Sequence, residues 1–261
     1  MIPYVEHPTI ELLGWTLQAF RVLALVAIAV QVEMTVRRAP RVGIEREVAS
    51  SLVVWAVGIG LVSAHVFDVV AYRPEVLRTD PLELLRVWGE LASTGGMLGG
   101  LAGLFYVARR QGLSGEAIAR FFDAVMFALP FTLAVGRLGC ALQHDHLGVA
   151  STSWFAVNFP AGPPWNGPRF DLGLLETLLC VVIALVFVAL DRARAQQLRA
   201  PGLFFALFFA LYGPGRFALD FLRVGEARYL ALTPAQWLMA GATLAATGWL
   251  ARSGRQAAAR R

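Results

Sequence analysis

Residues 172–190 read LGLLETLLCVVIALVFVAL, a run whose single charged side chain is Glu176. A helix of about 20 apolar residues spans the hydrocarbon core of a bilayer, and this stretch has that length and composition. A membrane barrel strand would alternate polar and apolar side chains with period two, which this run does not. Similar blocks of roughly 18–23 residues recur along the chain, at about 12–32, 50–72, 91–108, 117–136, 201–222 and 233–251. The whole chain of 261 residues is 57% hydrophobic and 16% charged, against about 45–50% and 25% for soluble domains. The expectation is an all-α integral membrane protein with seven transmembrane helices. It forms one polytopic membrane domain over residues 1–261, with no separate soluble domain and no internal repeat.

The arginines orient these spans. The chain has no lysine, and cytoplasmic loops carry the excess of basic residues. Arg37, Arg38, Arg41 and Arg46 follow the first span, Arg109 and Arg110 the third, and Arg192, Arg194 and Arg199 the fifth; Arg252, Arg255, Arg260 and Arg261 end the chain. The alternate loops hold fewer, namely Arg73, Arg78, Arg86, Arg169, Arg223 and Arg228. The N-terminus is therefore expected outside and the C-terminus in the cytoplasm. The N-terminal MIPYVEHPTIE lacks the basic region of a signal peptide, so the first span is expected to be retained. Short basic loops account for the net charge of +5, which gives no reason to expect a nucleic-acid partner. Cys140 and Cys180 are too few for a disulfide framework. The longest loop, about 144–171, holds Trp154, Phe155, Phe159, Pro160, Pro163, Pro164 and Trp165. It reads equally as an aromatic interfacial belt or as a substrate-facing loop.

Depth assigned from this orientation gathers the polar residues toward the outer face. His65 and Asp68 lie in the outer third of span two, and Thr94, Gly95 and Gly96 at the start of span three. Span four ends at Gly136, Arg137, Gly139 and Cys140, followed by His144, Asp145 and His146. Glu176 lies one turn into span five. Span six closes with Tyr212, Gly213-Pro214-Gly215, Arg216, Asp220 and Arg223. Arg21 and Asp123 stand apart. An ionisable side chain at the bilayer centre costs about 2.5–3.5 kcal/mol on insertion scales, so such residues face cavities and mark function. An arginine or histidine near an interface can instead snorkel to water. Gly213-Pro214-Gly215 is expected to interrupt span six, as broken helices do where they line a cavity. Arg216, Asp220 and Arg223 share one helical face. Arg137 and Arg216 suit bidentate contact with phosphate, and Asp145 and Asp220 can orient those guanidiniums or take a proton. The pattern points to an anionic phospholipid headgroup.

GGMLGGLAGLFYVARR (95–110), DAVMFALPFTLAVGRLG (123–139) and LYGPGRFALDFLR (211–223) followed by QW (236–237) resemble, in that order, the prolipoprotein diacylglyceryl transferases. DPLELLRVW (80–88) fits the loop that precedes the family's third span. The resemblance implies seven helices with the N-terminus outside. It also implies an inner-membrane enzyme that moves diacylglycerol from phosphatidylglycerol to the cysteine of a lipoprotein signal peptide, with no cofactor. Arg137 matches the arginine of the family's GRxGN signature, and Gly136, Gly139 and Gly148 its glycines. Arg216 matches the arginine after the tyrosine-glycine pair, here Tyr212-Gly213, while Glu176 and Asp123 match acidic residues of the fifth and fourth helices. Asp145 and Asp220 fall where the family has glutamate, Thr94 where it has a histidine, and Cys140 where it has asparagine. A hydroxyl has no proton-accepting pKa near neutrality, so Thr94 cannot replace a histidine base.

The resemblance makes Arg137, Asp145, Arg216 and Asp220 candidate catalytic residues. Gly95, Gly96, Thr94, Gly136, Gly139, Cys140, His144, His146, Glu176, Tyr212 and Arg223 become candidate substrate contacts. Three other readings stay open. The acceptor of the transfer could differ. The fold could serve non-catalytic lipid binding. His65, Asp68, His144 and His146 could form a metal site, since histidine with carboxylate suits zinc.

Overall fold

The computed structural model describes residues 1–5, 9–12, 15–86, 91–163, 165–194, 200–225 and 228–259. Pro164, Val87, Trp88, Arg199, Arg260 and Arg261, which the sequence reading used, lie outside them. The elements in order are β1 (Ile2–Pro3), β2 (Thr9–Leu12), β3 (Trp15–Gln18), α1 (Ala19–Arg38), α2 (Arg46–Phe67), α3 (Val76–Thr79), α4 (Ser93–Arg110), α5 (Gly115–Gln143), β4 (Leu147–Ala150), β5 (Val157–Asn158), β6 (Arg169–Asp171), α6 (Leu172–Arg194), α7 (Leu203–Leu219) and α8 (Pro234–Ala259). Short helical turns at 39–42, 68–72, 81–85 and 220–222 extend or link the long helices.

Five of these helical stretches are long and apolar enough to cross a membrane: Ala19–Val42, Arg46–Tyr72, Gly115–Gln143, Leu172–Ala193 and Leu203–Leu222. They expose Leu25, Val54, Trp55, Val182 and Leu185, the side chains a bilayer would solvate. This is a mostly helical, multi-pass membrane protein. The other two expected spans are helical, as α4 and α8, but fall outside that set. Glycine dilutes the apolar run of α4, and glutamine, threonine and glycine dilute that of α8.

The sequence reading is corrected at four points. The protein is not all-α: β1, β5, β6 and β4 form a four-stranded sheet in that order, and β2 and β3 a hairpin. The hairpin displaces the start of the first span from about residue 12 to Ala19. Thr9-Ile10-Glu11-Leu12 and Trp15-Thr16-Leu17-Gln18 each alternate polar and apolar residues, the period of a strand. The fourth span does not end at Gly136–Cys140, because α5 continues to Gln143. Nor does Gly213-Pro214-Gly215 interrupt the sixth, since Pro214 lies inside a continuous α7. The two glycines serve close packing instead. A Cβ at Gly213 would strike Thr243 Oγ1 of α8, and one at Gly215 would come within 2.6 Å of Leu179 of α6.

The chain forms two compact units, one of residues 1–31 with 125–261 and one of residues 32–124. The second is built on α2 and α4. Gly96 and Gly100 face Gly60, Gly99 faces Ser63 and Gly103 faces Ile59, so the backbones meet along a glycine seam. At its end His65 is fully buried with Nε2 2.8 Å from the Glu83 carbonyl, and Arg73 pairs with Asp68 at 2.6 Å. The first unit packs α6, α7 and α8 with the later part of α5 and the early part of α1. Phe127, Phe187 and Phe204 form its aromatic core, with ring centroids 5.1–6.2 Å apart. Gln31 donates to the Val125 carbonyl at 3.1 Å and accepts from Thr132 at 2.9 Å.

The glycine seam makes a direct prediction. Gly99→Leu should lower the unfolding free energy in detergent by about 1–3 kcal/mol through overpacking. Gly58→Ala, in the same helix pair but with open space at its Cβ, should leave the melting temperature unchanged or raise it. Equal losses in the two variants would sink the seam as the cause.

Candidate functional site

The polar residues of the first unit collect where α5 ends, α6 begins and α7 ends. Glu176, one turn into α6 and 1% exposed, is at the centre. Arg137 of α5 approaches its Oε1 through Nε at 3.0 Å, and Arg216 of α7 its Oε2 through Nε at 3.7 Å. The Tyr212 hydroxyl, one turn before Arg216, donates to Oε1. Buried carboxylates are tolerated when they are paired and hydrogen-bonded, and Glu176 meets both conditions.

Asp220 is a second centre. It is fully buried, pairs with Arg216 and lies 3.5 Å from Arg223 Nε. Thr233 Oγ1 donates to its Oδ2 at 2.7 Å. Thr233 also caps α8: its oxygen accepts from the Gln236 amide at 3.1 Å, and Gln236 Oε1 accepts from the Thr233 amide at 2.9 Å. This is a reciprocal capping box with proline at the first helical position. The Gln236 side chain donates onward to the Phe217 carbonyl at 3.0 Å, which ties the start of α8 to the end of α7. The buried cluster sets three guanidiniums against Glu176 and Asp220. The positive excess favours an anionic group beside it.

The turn after α5 is pinned separately. His144 adopts a left-handed backbone (φ 55°), stacks on Tyr4 and meets the Phe159 ring edge-on. Its Nδ1 lies 2.7 Å from Asp171 Oδ2 and its Nε2 lies 3.1 Å from the Val5 carbonyl. Both partners are acceptors, which favours the doubly protonated ring. Burial opposes that charge, but the hydrogen bonds to Asp171 and Val5 and the charges of Asp171 and Asp145 together outweigh it and raise the His144 pKa. The other Asp171 oxygen accepts from the Leu174 amide at 3.0 Å and caps α6. The next two residues differ. Burial, with help from Arg223 and Arg137, pushes His146 down to about 3, so it stays neutral. Its 3.6 Å approach to Asp145 is therefore not an ion pair. Burial pushes the Asp145 carboxyl above its ordinary value against the pull of Arg137, although 32% of the side chain is exposed.

Comparison with known proteins decides the family. The profile of the prolipoprotein diacylglyceryl transferases matches residues 8–252. The chain belongs to this family. It is 30% identical over 238 residues to a phosphatidylglycerol–prolipoprotein diacylglyceryl transferase of Frankia casuarinae, covering 88% of this chain and 56% of that relative. It is 30% identical to the same enzyme of Frankia alni, covering 87% and 60%. With that of Vibrio parahaemolyticus it shares 33% over 191 residues, 72% of this chain and 67% of the relative. The chain thus spans between half and two thirds of the length of the Frankia relatives.

Within this transferase-family fold, Arg137, Glu176, Tyr212, Arg216, Asp220 and Arg223 come together as described, with Cys140, Asp145 and His146 at the turn beside them. Other residues singled out in the sequence have packing contacts. A Cβ at Gly139 would come within 3.2 Å of Phe20, and one at Gly136 within 3.8 Å of Ala27. Gly95 and Gly96 belong to the α2–α4 seam, against Phe67, Ser63, Ala64 and Gly60. Thr94 lies in the first turn of α4. The metal grouping proposed from sequence is corrected. His144 has both ring nitrogens engaged, and His65 meets the Glu83 carbonyl. Among the described residues, the metal-compatible trio is Cys140, Asp145 and His146.

Sequence reasoning missed Asp171 and Thr233, and it quoted Gln236 in the QW pair without giving it a role. Each carried a local signal. Asp171 precedes an apolar run as an N-cap does, and Thr233-Pro234-Ala235-Gln236 spells a capping box.

Two stability experiments follow. Glu176→Ala should cost about 3–5 kcal/mol, the usual penalty for stranding buried charges, and Glu176→Gln less, read as thermal unfolding in detergent. Asp171→Asn keeps a capping side chain but loses the charge facing His144. It should be milder than Asp171→Ala by about 1 kcal/mol, the usual worth of a cap; equal effects would mean that the cap contributes nothing.

Proposed function

We propose that this family member transfers the diacylglyceryl group of phosphatidylglycerol to the lipobox cysteine of prolipoproteins at the bacterial cytoplasmic (inner) membrane. The observation that carries the reading is the convergence of Arg137 and Arg216 on the buried Glu176 in a chain of this family. In this reading residues 1–261 form a single polytopic domain that crosses the membrane seven times, with the N-terminus outside. α4 and α8 supply the two further crossings, and their exposed Phe105 and Leu244 suit lipid contact. The site then opens toward the outer leaflet.

The chemistry is a displacement at carbon. The acceptor sulfur bonds to the terminal glyceryl carbon, the bond from that carbon to the phosphate oxygen breaks, and its electron pair leaves with glycerol phosphate. Guanidiniums stabilise charge that grows on a leaving phosphate. Arg137 and Arg216 have that role, with Arg223 beside them. Glu176, Tyr212 and Asp220 hold the two arginines in place, and Asp145, its carboxyl raised, is suited to proton transfer. Phosphatidylglycerol, or another anionic phospholipid, and the lipoprotein signal peptide are the partners; no nucleic acid enters the reading.

A second reading keeps the fold and the lipid but drops prolipoprotein transfer, leaving a changed acceptor or lipid binding alone. It rests on Thr94 and Cys140, which the sequence resemblance aligns with a histidine and an asparagine.

The test uses purified protein, labelled phosphatidylglycerol and a lipobox peptide. Lipidated peptide and glycerol phosphate should form together. Arg137→Ala should reduce the rate by about 100-fold or more, the scale of losing one preorganised charge-stabilising donor. Arg137→Lys should restore little of it, because lysine lacks the bidentate fork. If neither product forms with the unaltered protein, the first reading is lost. Phospholipid binding that disappears in Arg137→Ala would then favour the second.

A further inference from the structure

The end of α5 and the turn after it carry a second donor set, on which Arg137 acts from one side. Cys140 lies in the last turn of α5, and Asp145 and His146 lie beyond the reversal at His144. A thiol sulfur, a carboxylate oxygen and an imidazole nitrogen of these residues all lie within 4.8 Å of one another. The oxygen and nitrogen of Asp145 and His146 are already 3.6 Å apart. Ligands of a tetrahedral zinc ion stand roughly 3.3–3.5 Å from each other at the usual bond lengths. Closing the trio therefore takes side-chain shifts of about 1 Å, at a turn where Asp145 is partly exposed.

We propose that Cys140, Asp145 and His146 form a three-ligand zinc site whose fourth position takes the acceptor thiol. The inference rests on the transferase reading above, since a thiol is the acceptor there.

Sulfur, nitrogen and oxygen donors together suit zinc among the divalent ions. Three protein ligands and one open position are the arrangement of a catalytic zinc rather than a structural one. A thiolate and a carboxylate neutralise the dication. The two cations that act on this turn, Arg137 and Arg223, are paired with Glu176 and Asp220. The base of the turn is fixed by the His144–Asp171 pair and the Val5 carbonyl, so two ligands leave a rigid support, as a preorganised site requires.

The site would supply what a hydroxyl at Thr94 cannot. A thiol bound to zinc loses its proton outright, so with the ion bound Asp145 acts as a ligand and not as the proton-transfer group it is suited to be without it. The zinc-bound thiolate forms the sulfur–carbon bond, and the carbon–oxygen bond to phosphate breaks. Its electron pair leaves with glycerol phosphate, which takes up through solvent the proton that the thiol released. Zinc stays divalent throughout.

The experiment uses the full chain in detergent, with Zn(II), Co(II), a lipobox peptide and the same peptide with serine for cysteine. The expected result is one zinc per chain. Cys140→Asn and His146→Gln should bind it more than about 100-fold more weakly, beyond the loss typical of an outer-shell partner, with melting temperatures showing that both variants fold. The cobalt form should show thiolate-to-cobalt charge-transfer absorption that is absent in Cys140→Asn and present in Cys180→Ser. The cysteine peptide should intensify that absorption and the serine peptide should not. Unchanged zinc affinity in both folded variants overturns the site, and a spectrum indifferent to the cysteine peptide overturns the role of the fourth position. Transfer that survives chelation at full rate overturns the zinc site and leaves the reaction standing. A peptide-responsive cobalt spectrum without transfer leaves the site and removes the reaction.

Discussion

A carboxylate within a membrane-spanning helix can stay charged only if its surroundings replace the water it has lost, and for Glu176 that replacement comes from three different positions. Arg137 reaches it from α5, while Tyr212 and Arg216 reach it from α7. Isolated, each of these groups would be costly at that depth. Together they fix the rotation of α5 and α7 about α6, because only one azimuth of each helix brings its polar group to the same carboxylate. The second centre at Asp220 extends this constraint to α8 through Thr233 and Gln236. Two buried carboxylates thus set the register of the four helices that make up most of the first unit.

The same constraint keeps the guanidiniums fit for use. An arginine held by a buried carboxylate does not collapse onto other acceptors or swing into water when substrate is absent. Its side-chain entropy is spent during folding, so little remains to be lost on binding. The pinned turn at His144 does the same for the residues that follow α5. It holds them with an imidazole ring whose two partners come from the N-terminal segment and from the cap of α6.

How much of this the sequence disclosed depended on the length of each signal. The run at 172–190 is long enough to be read without ambiguity, and five such runs became helices of membrane-spanning length. Arg137, Glu176 and Arg216 were conspicuous because charge is rare in such runs. The strands were not read, since β1, β5 and β6 have two or three residues each, too few for a period to show. Pro214 misled because its local rule predicts a break. The helix continues because Gly213 and Gly215 allow α8 and α6 to pack close on either side. His144 looked like a substrate contact or a metal ligand in sequence, where nothing indicates that Asp171 and Val5 will claim both its nitrogens. Such pairings join positions 27 and 139 residues apart, and no local pattern encodes them.

The glycine seam of α2 and α4 has a consequence for how such a chain would enter a membrane. α4 falls outside the set of strongly apolar helices, and its Gly96, Gly99, Gly100 and Gly103 lie along the strongly apolar α2 that precedes it in the chain. A helix of that kind partitions poorly alone, because its glycines leave backbone dipoles open to lipid. Laid against its predecessor, it hides them. In the seven-span reading α2 and α4 would then enter as a hairpin rather than as single helices.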